Sequence, residues 1–94
     1  MGYLGTDLDD MGEAIAALRK RVGANLTSLR ELRGLSVADA AKHVGKNAQT
    51  IYNYEAGTTG IPYEIAWSLC ELYGVNIGVL GGRVDYEPVA DATA

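Results

Sequence analysis

Apolar residues recur at three- and four-residue intervals along most of this chain, and glycines interrupt the rhythm at positions 34, 45, 57 and 74. That spacing belongs to amphipathic helices; strict alternation, the mark of a half-buried strand, appears nowhere over a useful length. Leu18, Val22, Leu26, Leu29 and Leu32 place a helix over residues 17–33, with Gly34 as its stop. Ser36, followed three residues later by Asp39, predicts the capping box of a short second helix, Val37 to Val44, built on Val37, Ala40, Ala41 and Val44. Gly45 ends that helix, and Asn47 caps a third over residues 48–55 that Gly57 stops. Pro62 suits the first position of a fourth helix, 62–73, closed by Gly74. Asn76 then caps a last short turn through Leu80. The expected fold class is all-α, a compact bundle of four to five short helices occupying residues 17–82.

The same interval continues upstream. Leu8, Met11, Ile15, Leu18, Val22, Asn25, Leu29 and Leu32 form a heptad seam with one polar member, Asn25, and a lone seam Asn is a known register device. Residues 1–16 read as an acidic N-terminal extension, and one expectation is that residues 7–22 extend the first helix and pair with a second copy. Thr6 stands where it would cap such a helix, and Asp7, Asp9 and Asp10 favour the dipole at its start. The alternatives are that these residues cover their own domain or fray, and that Gly23, which costs ~1 kcal/mol inside a helix, splits the segment in two. A second candidate for the dimer surface is the last helix, with Val75, Ile77, Val79 and Leu80.

Composition adds limits. At 94 residues the chain holds one domain, and 48% hydrophobic with 21% charged residues fits a globular protein. Residues 83–94, with Glu87-Pro88 and small polar residues, read as a disordered acidic tail. Met1 to Leu8 lack the basic-then-apolar order of a signal peptide, and no apolar run approaches the ~18 residues of a membrane span. One cysteine, Cys70, cannot form an internal disulfide. A cytoplasmic protein without membrane contact is expected.

A net charge of -4 looks wrong for a nucleic-acid binder until its distribution is considered. The extension carries Asp7, Asp9, Asp10 and Glu13, and the tail sets Arg83 against Asp85, Glu87 and Asp91. Between them Arg19, Lys20, Arg21, Arg30, Arg33, Lys42 and Lys46 outnumber Glu31, Asp39, Glu55, Glu64 and Glu71. The acid sits in the ends and the middle is mildly basic.

Residues 22–80 resemble the phage-repressor and Xre-like helix-turn-helix family. The resemblance rests on Leu26-x-x-Leu29-Arg30-x-x-Arg33-Gly34-Leu35-Ser36, on Asp39-Ala40-Ala41 and Val44-Gly45, and on Asn47-Ala48-Gln49-Thr50-Ile51-Tyr52-Asn53-Tyr54-Glu55-x-Gly57. Pro62 and the Gly74-Val75 ending also match. The resemblance implies a double-stranded DNA-binding transcriptional regulator, a repressor that reads a palindromic operator as a homodimer. It also implies that Ala48, Gln49, Tyr52 and Asn53 face the bases, and that Arg30 bridges to Glu55 to hold the first helix against the end of the recognition helix.

The chemistry of these side chains is consistent with those roles. Gln and Asn amides pair with adenine N6 and N7 in bidentate fashion, and the Ala48 methyl suits a thymine methyl. Lys46, Thr50 and Tyr52 suit phosphate, as do the backbone amides around Asn47 and Ala48 at a helix start. The bland alternatives are a merely solvated polar face, and an exposed Arg30–Glu55 pair worth ~0–1 kcal/mol.

Three positions depart from the family pattern. Val37 stands where Gln is usual, and Ala40 where Leu is usual, a loss of volume that Trp67 or a Tyr would have to fill. The loop Thr58-Thr59-Gly60-Ile61 lacks the Lys and Arg often found there. With the acidic ends, these departures lend weight to a second expectation: a protein-binding adaptor or antitoxin-like module with a toxin as partner and weak or no DNA binding. No enzyme is expected. His43 is the only histidine, Cys70 lies in an apolar pattern, no Cys/His cluster has zinc spacing, and Gly81-Gly82 lacks the context of a phosphate loop. No cofactor or metal is implied.

Overall fold

The computed structural model describes residues 3–82, with side chains from Met11 onward. Four α-helices follow one another: α1 Tyr3–Leu32, α2 Val37–Val44, α3 Ala48–Ala56 and α4 Tyr63–Tyr73, with a closing 3-10 helix at Ile77–Gly81. The regular structure of the described residues is all-helical. The expected tail, 83–94, and the side chains of Thr6, Asp7, Leu8, Asp9 and Asp10 lie outside the described residues.

The element that reaches furthest beyond residues 17–33 is α1, helical through the upstream segment expected to extend it. It is a single helix of 30 residues, ~45 Å long, with no break between an extension and a domain. It begins before Thr6 and runs through Gly12 and Gly23. Gly5, Gly12 and Gly23, at up to ~1 kcal/mol each, do not outweigh a proline-free stretch rich in Ala, Leu and Arg. Gly23 also has a positive use: α1 lies so close to the end of α3 that a Cβ at Gly23 would fall 2.6 Å from the Tyr54 carbonyl oxygen and even nearer to that of Glu55.

The two halves of α1 have different fates. Leu26 and Leu29 are fully buried against α3 and the 3-10 helix, whereas every residue from Met11 to Lys20 is exposed. The seam is divided accordingly. Asn25 serves its own domain: its amide donates to the carbonyls of Leu80, at 2.8 Å, and Val79, at 3.3 Å, tying α1 to the closing helix. Val79 and Leu80 of the closing helix, and Val75 just before it, are buried inside their own domain.

The other helix limits follow their capping residues. Ser36 Oγ accepts from the Asp39 amide at 3.0 Å and the Asp39 carboxylate accepts from the Ser36 amide at 2.9 Å, a reciprocal box that starts α2. Pro62 stands one place outside α4, as its N-cap rather than its first residue. Gly45 takes the left-handed conformation, φ 69°, which lets its N–H and that of Lys46 close onto α2 carbonyls and turns the chain within two residues. Val37 is buried, so the position where the family carries Gln faces the core. Trp67 remains 47% exposed and does not fill the space beside Ala40; among the described residues the buried aromatics are Tyr54 and Tyr73.

Candidate nucleic-acid interface

Two short helices joined by the Gly45 turn present α3 across the face of the molecule. Ile51 and Tyr54 are buried behind it, and α3 is packed on both α1 and α2. Helical periodicity then turns Gln49 and Tyr52 outward, with Asn53 half-buried beside them. Lys46 and Asn47 are exposed at the start. Asn47 caps the helix: its Oδ1 accepts from the Thr50 amide at 2.8 Å and from the Thr50 hydroxyl at 2.9 Å. Thr50 thus has its hydroxyl proton engaged. Ala48 is half-buried and packs on the core, so only part of its methyl remains for another surface.

The two amides of the outward face are joined to each other. Gln49 Nε2 donates to Asn53 Oδ1 at 3.0 Å, one helical turn apart. The pair leaves Gln49 Oε1 as an acceptor and Asn53 Nδ2 as a donor outside that bond. A neighbouring acceptor and donor form the complement of a base edge such as adenine's N6 and N7.

Residues 10–80 match the family model described as a helix-turn-helix domain. This chain belongs to the helix-turn-helix domain family. Over 48 residues, 51% of its length, it is 40% identical to HTH-type transcriptional regulatory proteins of Saccharolobus islandicus and Saccharolobus solfataricus. The aligned stretch makes up 16% of those relatives, so the chain spans under a fifth of their length. Two crystal structures of the clp gene regulator ClgR from Corynebacterium glutamicum share the fold, with TM-scores of 0.65 and 0.63 at 24% identity. Each alignment covers 67% of this chain, and 67% and 82% of the respective ClgR chains.

Within the helix-turn-helix domain, Arg30 and Glu55 fix where α3 ends relative to α1. The Arg30 guanidinium meets the carboxylate edge-on, Nε to Oε2 at 2.7 Å and Nη2 to Oε1 at 3.1 Å, and its remaining nitrogen Nη1 donates to the Leu35 carbonyl at 2.8 Å. Thr27, which the sequence did not single out, sets its hydroxyl between Glu55 Oε1 at 3.1 Å and the Gly23 carbonyl oxygen at 3.0 Å, one proton serving both acceptors. The carboxylate neighbour raises the Arg30 pKa above its ordinary value, through the hydrogen bond first and in spite of partial burial.

Two further contacts of the helix-turn-helix domain have no counterpart in its linear motif. The α1 backbone at Lys20 rests on Gly57, the C-cap of α3: a Cβ on Gly57 would stand 2.8 Å from Lys20 Cα. The Arg19 guanidinium lies along Gly60, with Nε and Nη2 at 3.1 and 3.3 Å from a Cβ placed there. Only the run Arg19-Lys20-Arg21 hints at them in the sequence. His43 is exposed, and burial pushes the Cys70 thiol up to about 11. No helix among the described residues is long and apolar enough to cross a membrane.

Proposed function

We propose that this domain binds double-stranded DNA sequence-specifically in the cytoplasm, laying α3 in the major groove, and that it regulates transcription as a repressor. The observation that carries this reading is the outward amide pair Gln49–Asn53 on a helix anchored from behind by Ile51 and Tyr54. A major groove ~12 Å wide admits one α-helix, and each good bidentate contact discriminates by ~1–3 kcal/mol. Gln49, Asn53, Tyr52 and the Ala48 methyl read base edges. Lys46 and the Asn47 and Ala48 amides hold phosphates, which set register rather than sequence choice, while Thr50, its hydroxyl proton engaged by Asn47, stays with the cap.

The regulator works as a homodimer on a palindromic operator, with half-sites ~34 Å apart. Its dimer surface is the free half of α1. Met11, Ile15 and Leu18 are 58, 49 and 45% exposed along one side of that helix.

Selection of bound duplexes from a random pool tests the proposal. The expected result is a palindromic consensus, lost in the Gln49→Ala/Asn53→Ala variant while its thermal unfolding stays unchanged. A pool with no enriched sequence, or a protein that binds no duplex at low salt and co-purifies with a toxin, overturns it in favour of the adaptor.

A further inference from the structure

We infer that Arg19 and Lys20, far from the helix-turn-helix motif in sequence, form a second phosphate-binding edge of the DNA interface at the C-terminal end of α3. The inference rests on the DNA-binding proposal above and extends it to residues outside the motif.

The loop that follows α3, Thr58-Thr59-Gly60-Ile61, contains no basic side chain. The fold supplies one from elsewhere. Because α1 continues N-terminally past the core, it runs across the end of α3, and Gly57 admits the α1 backbone at Lys20 with no side chain between them. A second glycine, Gly60, leaves room for the Arg19 guanidinium to lie on the loop itself. Both cations are exposed, and neither forms an ion pair with another described residue. The nearest acid of α3, Glu55, is already taken by Arg30 and Thr27. Arg21, the third member of the basic run, turns elsewhere: its Nη1 donates to the Gly81 carbonyl at 3.4 Å beside the closing helix.

The resulting charge layout suits a groove. Lys46 stands before the first turn of α3, and Arg19 with Lys20 stands beside its last residue. Nine residues of helix span ~13.5 Å, close to the ~12 Å width of the major groove. Cations at both ends of such a helix therefore meet the two phosphate walls that flank it. Arginine adds a planar fork that matches a phosphate's oxygens.

The test is fluorescence anisotropy of the full chain on a 20-base-pair mixed-sequence duplex, read between 50 and 200 mM salt. Each lost phosphate contact makes the slope of log Kobs against log salt shallower by about 0.9. The Arg19→Gln/Lys20→Gln variant is expected to lose about 1.8 in slope, so its deficit against wild type shrinks about twelvefold over that salt range. Its consensus from the random pool and its thermal unfolding are expected to stay as in wild type. Thr59→Glu, which leaves α1 intact and sets a carboxylate on the same edge, is expected to weaken binding in the same sequence-independent way. Arg21→Gln is expected to keep the wild-type slope. An unchanged slope in Arg19→Gln/Lys20→Gln, with the consensus still lost in Gln49→Ala/Asn53→Ala, overturns this inference alone. An equal drop in Arg21→Gln overturns it in favour of a bulk-charge effect, and a wild-type chain that binds no duplex at 50 mM salt overturns both readings.

Discussion

Arg30 and Glu55 are 25 residues apart in the chain and meet edge-on at 2.7 and 3.1 Å, with side chains only 12% and 8% exposed. One residue belongs to the buried half of α1 and the other to the last turn of α3. The pair therefore sets the angle at which α3 leaves the protein surface, and Thr27 holds the carboxylate from a second side.

Removing one partner strands a charge with little access to water. Glu55→Ala is expected to lower unfolding stability by about 3 kcal/mol, near the small end of the range for buried pairs because the edge of the pair still touches solvent. An Arg30→Met/Glu55→Leu double variant is expected to recover most of that loss. Urea denaturation of the two variants measures both; a loss below about 1 kcal/mol for Glu55→Ala would mean the pair behaves as a surface one.

Gly12 and Gly23, both within α1, are expected to respond with opposite sign to the same substitution. A Cβ added at Gly12 would meet nothing within 4 Å, so Gly12→Ala gains helix propensity of about 1 kcal/mol. At Gly23 the Cβ would collide with the Tyr54 and Glu55 carbonyl oxygens, which are backbone and cannot swing aside. Gly23→Ala is expected to destabilise by more than that gain and to loosen α3. Thermal unfolding of the two variants side by side gives the signs, and stabilisation by both would show that α1 does not press on α3.

Burial holds the Cys70 thiol protonated up to about 11, against roughly 8.5 for a free cysteine. Between those values the unfolded chain releases the proton and the folded one keeps it. The contribution of Cys70 is complete below about 8.5 and lost as pH rises through about 11. Cys70→Ala is expected to flatten the alkaline fall of the urea midpoint, and the native thiol to resist a disulfide reagent that attacks it at once in denaturant. Rapid reaction of the native protein at pH 8 would contradict the burial.

Self-association through the free half of α1 is expected to fail when its apolar stripe is charged. Ile15→Glu places a carboxylate at the middle of Met11, Ile15 and Leu18, all exposed in a single chain. Sedimentation should show a dimer for wild type and a monomer for the variant, with the unfolding of the core unaffected. A variant that remains dimeric would move the interface elsewhere.

Much of this was legible in the chain because it is local. Ser36 with Asp39, Asn47 and Gly45 mark the limits of α2 and α3 through contacts within four residues, and the three-four interval places Ile51 and Tyr54 behind α3. The position of Pro62 was missed by one residue, since proline is compatible with both the cap and the first helical place.

What the chain could not disclose depends on residues brought together over long separations. Periodicity made Asn25 a seam residue, yet Val79 and Leu80, more than 50 positions away, take its amide. A heptad pattern states which side chains share a stripe and is silent on what covers it, so Leu29 is buried in its own domain while Met11, Ile15 and Leu18 stand exposed. The meeting of Lys20 with Gly57 and of Arg19 with Gly60 exists because α1 stays straight past Gly23 and crosses the end of α3. Linear spacing encodes the helices and the faces they offer; the crossing of two backbones without side chains between them is a property of packed helices, and it brings cations to a loop that has none.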